Sequence, residues 1–156
     1  MDIQQVVVTG QHQAELQDLT LDTANLGPEE ILVETEYSYI STGTELANYT
    51  GREPKAHQPG QWCTYPWKSG YANVGRVVEK GPSVGSLSVG DRVFTYGPHA
   101  SAFRYATTSL AVGVPGDLDP AIAAASRMAG VATTSVIAAE IANDPWVVVY
   151  GLGMVG

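Results

Sequence analysis

The chain has 156 residues, 44% of them hydrophobic, which is enough to fill one packed core and too apolar for a disordered tail. Asp and Glu number 16 against 8 Lys and Arg, giving a formal charge of −8; no polyanion-binding surface, and so no nucleic-acid partner, is expected. Charged residues are only 15% of the chain, against roughly 25% in an average domain, and 17 glycines with 9 prolines point to short strands and many turns, or to a face covered by something else.

No uncharged stretch approaches the roughly 18 apolar residues of a membrane span, and the opening Met1-Asp2-Ile3-Gln4 lacks the pattern of an export signal. A single cysteine, Cys63, allows no internal disulfide and suits a reducing compartment. The chain is therefore expected to be soluble and cytoplasmic, with no membrane partner.

The first half reads as strands. Val6-Val7-Val8 lies in a run from Gln4 to Thr9, Ala14 to Leu21 alternates loosely, and Ile31 to Tyr37 is β-branched and aromatic. The stretch Ile40 to Gly51 predicts a short helix closed by glycine. From Arg52 to Gly70 no period emerges, so a long irregular loop is expected, and such loops are disproportionately functional. Strands resume at Val74–Glu79, Val89–Phe94, Ala102–Tyr105 and Ala111-Val112, a spacing that fits a small barrel.

Beyond Pro115 the pattern changes. Asp119-Pro120 is an N-cap followed by proline at the first helical position, and Ala121 to Ala142 reads as one helix or as a pair divided at Gly130. Trp146 to Tyr150 then reads as a strand buried on both faces, as in a parallel sheet. It runs into Gly151-Leu152-Gly153-Met154-Val155-Gly156, the G-x-G-x-x-G pattern in which glycines at 151, 153 and 156 would let backbone amides approach a pyrophosphate. A buried strand at this point has no partners in the remaining sequence, so the chain is expected to be the front part of a longer one.

With these segments in place the chain resembles the medium-chain dehydrogenase/reductase superfamily. The resemblance rests on Ile40 to Glu45 (ISTGTE), Gly70 to Gly81 (GYANVGRVVEKG), Val89 to Phe94 (VGDRVF) and the terminal glycine pattern. The first two motifs are most similar to a branch that lacks the zinc ligands and includes bacteriochlorophyllide a dehydrogenase. The resemblance implies a mainly β GroES-like barrel with a helical connector leading into the first strand of an α/β Rossmann domain, here truncated. Its divisions would be a substrate-side domain over 1–116, a connecting helical segment over 117–145, and the start of a nucleotide-binding domain over 146–156. It also implies an oxidoreductase that uses NAD or NADP to move a hydride to or from a small carbonyl, alcohol or activated alkene, with a homodimer formed through the Rossmann domain.

Zinc-dependent members carry a Cys where this chain has Thr42 and a Gly-His-Glu where it has Gly70-Tyr71-Ala72, and around residues 126–128 neither a Cys nor an acid supplies the third ligand. Catalytic zinc needs three protein ligands, so no metal is expected. Hydroxyl donors would then have to stabilise a developing oxyanion. Tyr71, at the position of the lost histidine, is the first candidate; Thr44, matching the hydroxyl that starts the family's proton relay, is the second; Thr42 is the third. Thr133 falls where relatives touch the nicotinamide, and would join Gly151, Gly153 and Gly156 in binding it.

Plainer roles compete at each position. Thr42-Gly43-Thr44-Glu45 fits a capping box, in which Thr42 and Glu45 satisfy amides at a helix start. Tyr71 fits a core aromatic, and a helical Thr133 fits a bond to the carbonyl one turn back. Trp62, Tyr65 and Trp67 offer either a flat surface for a large planar or lipid-like substrate or ordinary packing. His12, His57 and His99 read as surface histidines and Cys63 as a small apolar thiol. The rival readings are a non-catalytic GroES-like binding module, and a zinc enzyme with unusual ligands drawn from His57 and Cys63.

Overall fold

The computed structural model describes residues 1–140, 146–151, 153 and 155. They fall into two compact units, Met1–Ala124 and Ala125–Gly156. The first unit is built from antiparallel strands. It opens with a hairpin of β1, Asp2–Gly10, and β2, Gln13–Thr20, in which Val6 faces Leu16 across the ladder. In β1 the alternation buries Ile3, Gln5 and Val7 on one side, as a period of two requires.

β3, Glu30–Ser38, is the central element. It is followed by α1, Thr44–Tyr49, a 3-10 turn at Pro54–His57, and the two-residue β4, Trp67–Lys68. β5, Asn73–Lys80, β6, Arg92–Thr95, β7, Ala102–Ala106, and β8, Ala111–Gly113, complete the strands among the described residues. One sheet has the order β2-β1-β4 and the other the order β7-β3-β5-β6-β8. The segment His99 to Ser101 stitches the two together: Val6 N–H donates to the His99 carbonyl (2.8 Å), Ser101 N–H to that of Gln4 (2.8 Å), and Thr35 N–H to that of Ser101 (2.9 Å).

β3 and β5 carry the bulk of the core because their branched residues face inward. Ile31, Val33, Val77 and Val93 are wholly buried and pack with Val84, Leu87 and Phe103. A second cluster joins Ala72, Val74 and Phe94 to Ala123 and Ala124, and a third joins Val8, Ala56, Cys63 and Trp67. On the outer face, Glu36 of β3 bridges Arg76 of β5 (2.8 Å) and Arg92 of β6 (2.5 Å), locking three adjacent strands together.

The strands expected at 4–9, 14–21, 31–37, 74–79, 102–105 and 111–112 are all present, each within two residues of its expected ends. β6 starts at Arg92 rather than Val89 because Ser88 to Asp91 form a turn, with the Asp91 carboxylate accepting from Ser88 N–H (2.8 Å). Within the segment expected to be an irregular loop, Trp67 and Lys68 pair with Val8 and Val7 as β4. The α2 helix runs over Pro120–Ala138 without interruption at Gly130, so it is a single helix and not a pair. Asp119 caps it as expected, its Oδ1 accepting from the amides of Ala121 (2.8 Å) and Ile122 (3.2 Å). By length and composition alone this helix, of mean hydropathy 1.3, is apolar enough to cross a membrane, although Arg127 interrupts its uncharged run.

The strand expected at Trp146–Tyr150 is not formed. These five residues carry no ladder and are exposed, and among the described residues no strand lies beside them to pair with the backbone groups of a Val-rich segment. Gly151, at φ +93°, and Gly153 are exposed, with nothing near their Cβ positions. Gly156 lies outside the described residues, as do residues 141–145, where the end of the connecting helix was expected.

Candidate functional site

The start of α1 does not form the capping box that Thr42 and Glu45 suggest. Gly43 occupies the N-cap position and no side chain caps the helix, while Thr42 is exposed. Glu45 instead turns inward. Its Oε1 accepts from the backbone amide of Ser41 (2.8 Å), and its Oε2 lies 2.8 Å from Nε2 of His99. The other ring nitrogen of His99, Nδ1, lies 2.8 Å from the Ser38 hydroxyl. His99 is therefore no surface histidine: it and Glu45 are 8% and 7% exposed.

The backbone around this chain of groups is fixed from several directions. Asn73, at the first position of β5 and fully buried, donates from Nδ2 to the Pro98 carbonyl (2.9 Å) and to the Thr35 hydroxyl (3.0 Å). Thr35 in turn donates to the Ala100 carbonyl (2.6 Å), and His99 N–H donates to the Ser69 carbonyl (2.9 Å). Gly70 lies against the same segment at φ +104°, where a Cβ would stand 2.4 Å from the His99 nitrogen. The imidazole is thus presented by a loop tied to both sheets, and its ring orientation is set by one carboxylate and one hydroxyl.

These groups border a cavity of about 390 Å³ lined by Val6, Val8, Ala14, Ile40, Leu46 and Tyr49 together with Ser38, Ser41, Thr42, Glu45, Ser69 and His99. The wall is mainly apolar, with a few polar side chains among its lining residues. Such a cavity holds a ligand by its apolar body and orients it by a few placed polar groups.

Of the residues named as candidates, Thr42 borders this cavity, whereas Tyr71 and Thr44, both half-buried, are not among its lining residues. Thr133 donates its hydroxyl to the Ala129 carbonyl one turn back along its own helix (2.8 Å). Trp67 is buried against Val8, Ala56 and Cys63, and Tyr65 packs beside it with its hydroxyl donating to the Asn48 carbonyl; only Trp62 of the three loop aromatics is exposed. The loop aromatics therefore pack mostly inward.

No group of three His, Cys, Asp or Glu side chains suited to a metal exists among the described residues. Cys63 is wholly buried, and desolvation first, then the charge of Glu53, push its thiol pKa up, which disfavours the thiolate that a metal requires. His57 is exposed, with Nε2 3.2 Å from the Gly51 carbonyl and its ring edge-on to Tyr65. At the positions where zinc-dependent relatives are expected to hold the metal, Thr42 and Tyr71 offer neutral hydroxyls, which do not fit a zinc site of N and S donors. Sequence reasoning missed the Ser38, Glu45 and His99 group. Its members are 54 and 61 residues apart in the two contacts, and no local spacing announces them.

The antiparallel sheets, the stitched segment at 99–101 and the helix that follows them define a fold of the GroES-like class. The chain matches the alcohol dehydrogenase GroES-like domain over residues 27–141 and belongs to that family. It is 39% identical over 97 residues to 2-desacetyl-2-hydroxyethyl bacteriochlorophyllide A dehydrogenase of Cereibacter sphaeroides, an alignment covering 62% of this chain and 28% of that protein. The quinone oxidoreductase of Coxiella burnetii shares the fold with a TM-score of 0.74 at 18% identity, covering 92% of this chain and 47% of that one. The Escherichia coli quinone oxidoreductase, solved in complex with NADPH, does so with a TM-score of 0.64 at 21% identity, covering 86% and 40%. The chain thus spans under a third of the curated relative and less than half of these two structures.

Proposed function

We propose that this chain is the substrate-side part of an NAD(P)-dependent oxidoreductase that acts on a carbonyl, alcohol or activated alkene without catalytic zinc. The reading is carried by one observation: a GroES-like domain of the alcohol dehydrogenase family in which hydroxyl residues, Thr42 and Tyr71, stand at the expected metal-ligand positions. Relatives that share the fold include oxidoreductases, one solved with NADPH. Thr42, on the cavity wall, would contact the substrate oxygen directly, with Tyr71 and Thr44, which lie outside the cavity lining, as further candidate hydroxyl donors; hydroxyls of this kind stabilise developing negative charge by hydrogen bonding.

The nicotinamide would supply or take the hydride. Among the described residues Gly151 and Gly153 form no phosphate cradle, because neither a strand before them nor packing around them is present. The part proposed for this chain is to hold the substrate and manage its oxygen. The test is an assay of NADH and NADPH oxidation by the gene product against a panel of aryl ketones after exhaustive chelation. Turnover that persists without bound zinc is the expected result. Turnover that vanishes on chelation and returns with added zinc would refute the metal-free mechanism, and the lack of any nicotinamide fluorescence change would refute the oxidoreductase assignment itself.

A further inference from the structure

From the geometry of Ser38, His99 and Glu45 we infer that they form the polar anchor of the apolar cavity, a hydrogen-bonded chain that binds the hydroxyl or carbonyl oxygen of a mainly apolar ligand and takes up a proton when that oxygen is a carbonyl. The inference deepens the oxidoreductase reading and rests on it for the ligand's biological role. The binding itself needs no nicotinamide.

Each link follows from donor and acceptor counting. Glu45 accepts from Ser41 N–H at Oε1 and meets the imidazole Nε2 at Oε2, both at 2.8 Å. An ionised carboxylate has no proton to give, so the Nε2 of His99 carries one. In a neutral imidazole the other nitrogen is then bare, and Nδ1 accepts from the Ser38 hydroxyl at 2.8 Å. The remaining lone pairs on Ser38 Oγ can only accept, which suits a ligand alcohol. When the imidazole gains a second proton, Nδ1–H donates to Oγ and the serine proton swings free to donate to a ligand carbonyl.

The surroundings make this choice matter. Ser38, Glu45 and His99 all border the cavity, while Val6, Val8, Ile40 and Leu46 supply its apolar wall. Beside so apolar a wall an unanswered polar atom is costly, so a carbonyl ligand and the second proton stabilise one another. Besides His99, the titratable side chains on the wall are Glu45 and Tyr49; β1, β2 and the Ser69 segment contribute none there. Of these only His99 touches the Ser38 hydroxyl, at Nδ1, with Glu45 at its other ring nitrogen.

The probes are a ketone and an alcohol on one skeleton, 2-acetonaphthone and 1-(2-naphthyl)ethanol, added to the chain without nicotinamide at pH 8. Calorimetry in two buffers of different ionisation enthalpy is expected to show net proton uptake for the ketone and none for the alcohol. Nitrogen-15 spectra of the histidine-labelled chain, with His99 assigned by His99→Gln, should show Nε2 protonated and Nδ1 bare before ligand. Ser38→Ala should weaken both probes about tenfold, as loss of one buried hydrogen bond does, and abolish the difference in proton uptake, whereas Ser38→Thr should keep both. Glu45→Gln should keep the Ser41 contact and lose the proton uptake. A protonated Nδ1 with a bare Nε2, equal proton uptake by the two probes, or no cross-relaxation from either probe to Val6 and Leu46 would each overturn the anchor. Failure of the nicotinamide assay alone would leave these results standing, and their failure would leave that assay untouched.

Discussion

Gly70 governs the candidate site although it carries no side chain. Its φ of +104° lies in the region that favours glycine, and a Cβ there would meet the His99 nitrogen at 2.4 Å and the Pro98 carbonyl carbon at 2.7 Å. Neither neighbour can retreat, because Asn73 holds Pro98 and Ser69 holds His99 through their backbone groups. Gly70→Ala is therefore expected to cost about 1–3 kcal/mol from the backbone conformation alone, with the clash adding to it. A urea unfolding series should show the midpoint falling, and the His99 ring signals should move even in variants that remain folded. An unchanged midpoint with unchanged His99 signals would mean that the segment is loosely held. Glu45 illustrates the same lesson from the other side. Its position three after Thr42 suggests a local capping partner, yet its carboxylate is committed to the Ser41 amide and to a histidine 54 residues away.

At the scale of elements, the outer face of β3, β5 and β6 is held by a single carboxylate between two guanidinium groups. The Arg92 side chain, then that of Arg76, holds the Glu36 carboxyl below its usual range, against the opposing effect of partial burial. A carboxyl depressed in the folded state binds its proton more readily once the chain unfolds. Its stabilisation is present in full above the unfolded carboxylate range and is lost as pH falls through the folded value. Thermal unfolding followed from pH 7 down to pH 3 should accordingly show a steeper loss for the wild type than for Glu36→Gln, the two curves converging in acid. Parallel curves would show that the bridge contributes nothing across the strands. The strands that this carboxylate joins were legible from the sequence because Val-rich alternation with Gly-Pro punctuation is a local signal, as at Ile31–Tyr37 and Val74–Glu79. β4 was not, since two residues show no period and are made a strand only by the edge of β1. The cluster of Ser38, Glu45 and His99 was illegible for a like reason: what makes His99 interior is a tether through Asn73 and Thr35 that no neighbour in sequence reports.

At the scale of the whole chain the two units differ in what they can bury. Met1–Ala124 holds all three hydrophobic clusters, so its central strands open only when the unit unfolds. In the second unit the helix continues past Met128 with Thr133 to Ala138 all exposed, including Val136 and Ile137, and Trp146 to Tyr150 form no ladder. Helical segments of this length draw most of their stability from packing of an apolar face rather than from propensity, and are marginal without it. Threonines at 133 and 134, both bonded back to carbonyls of the preceding turn, do not add to it. Hydrogen exchange followed by mass spectrometry should therefore separate the chain in two. Amides of β3 and β5, such as those of Leu32 and Val77, should exchange only on global unfolding, and those from Thr133 to Ala138 within the shortest labelling time. Equal protection in the two regions would require a packed partner face for the C-terminal half of α2. Comparing the isolated chain with the chain carried in a polypeptide of the full length of its relatives would then show whether that face is supplied by further sequence, since protection of Val136 and Ile137 should rise by orders of magnitude only if they become buried.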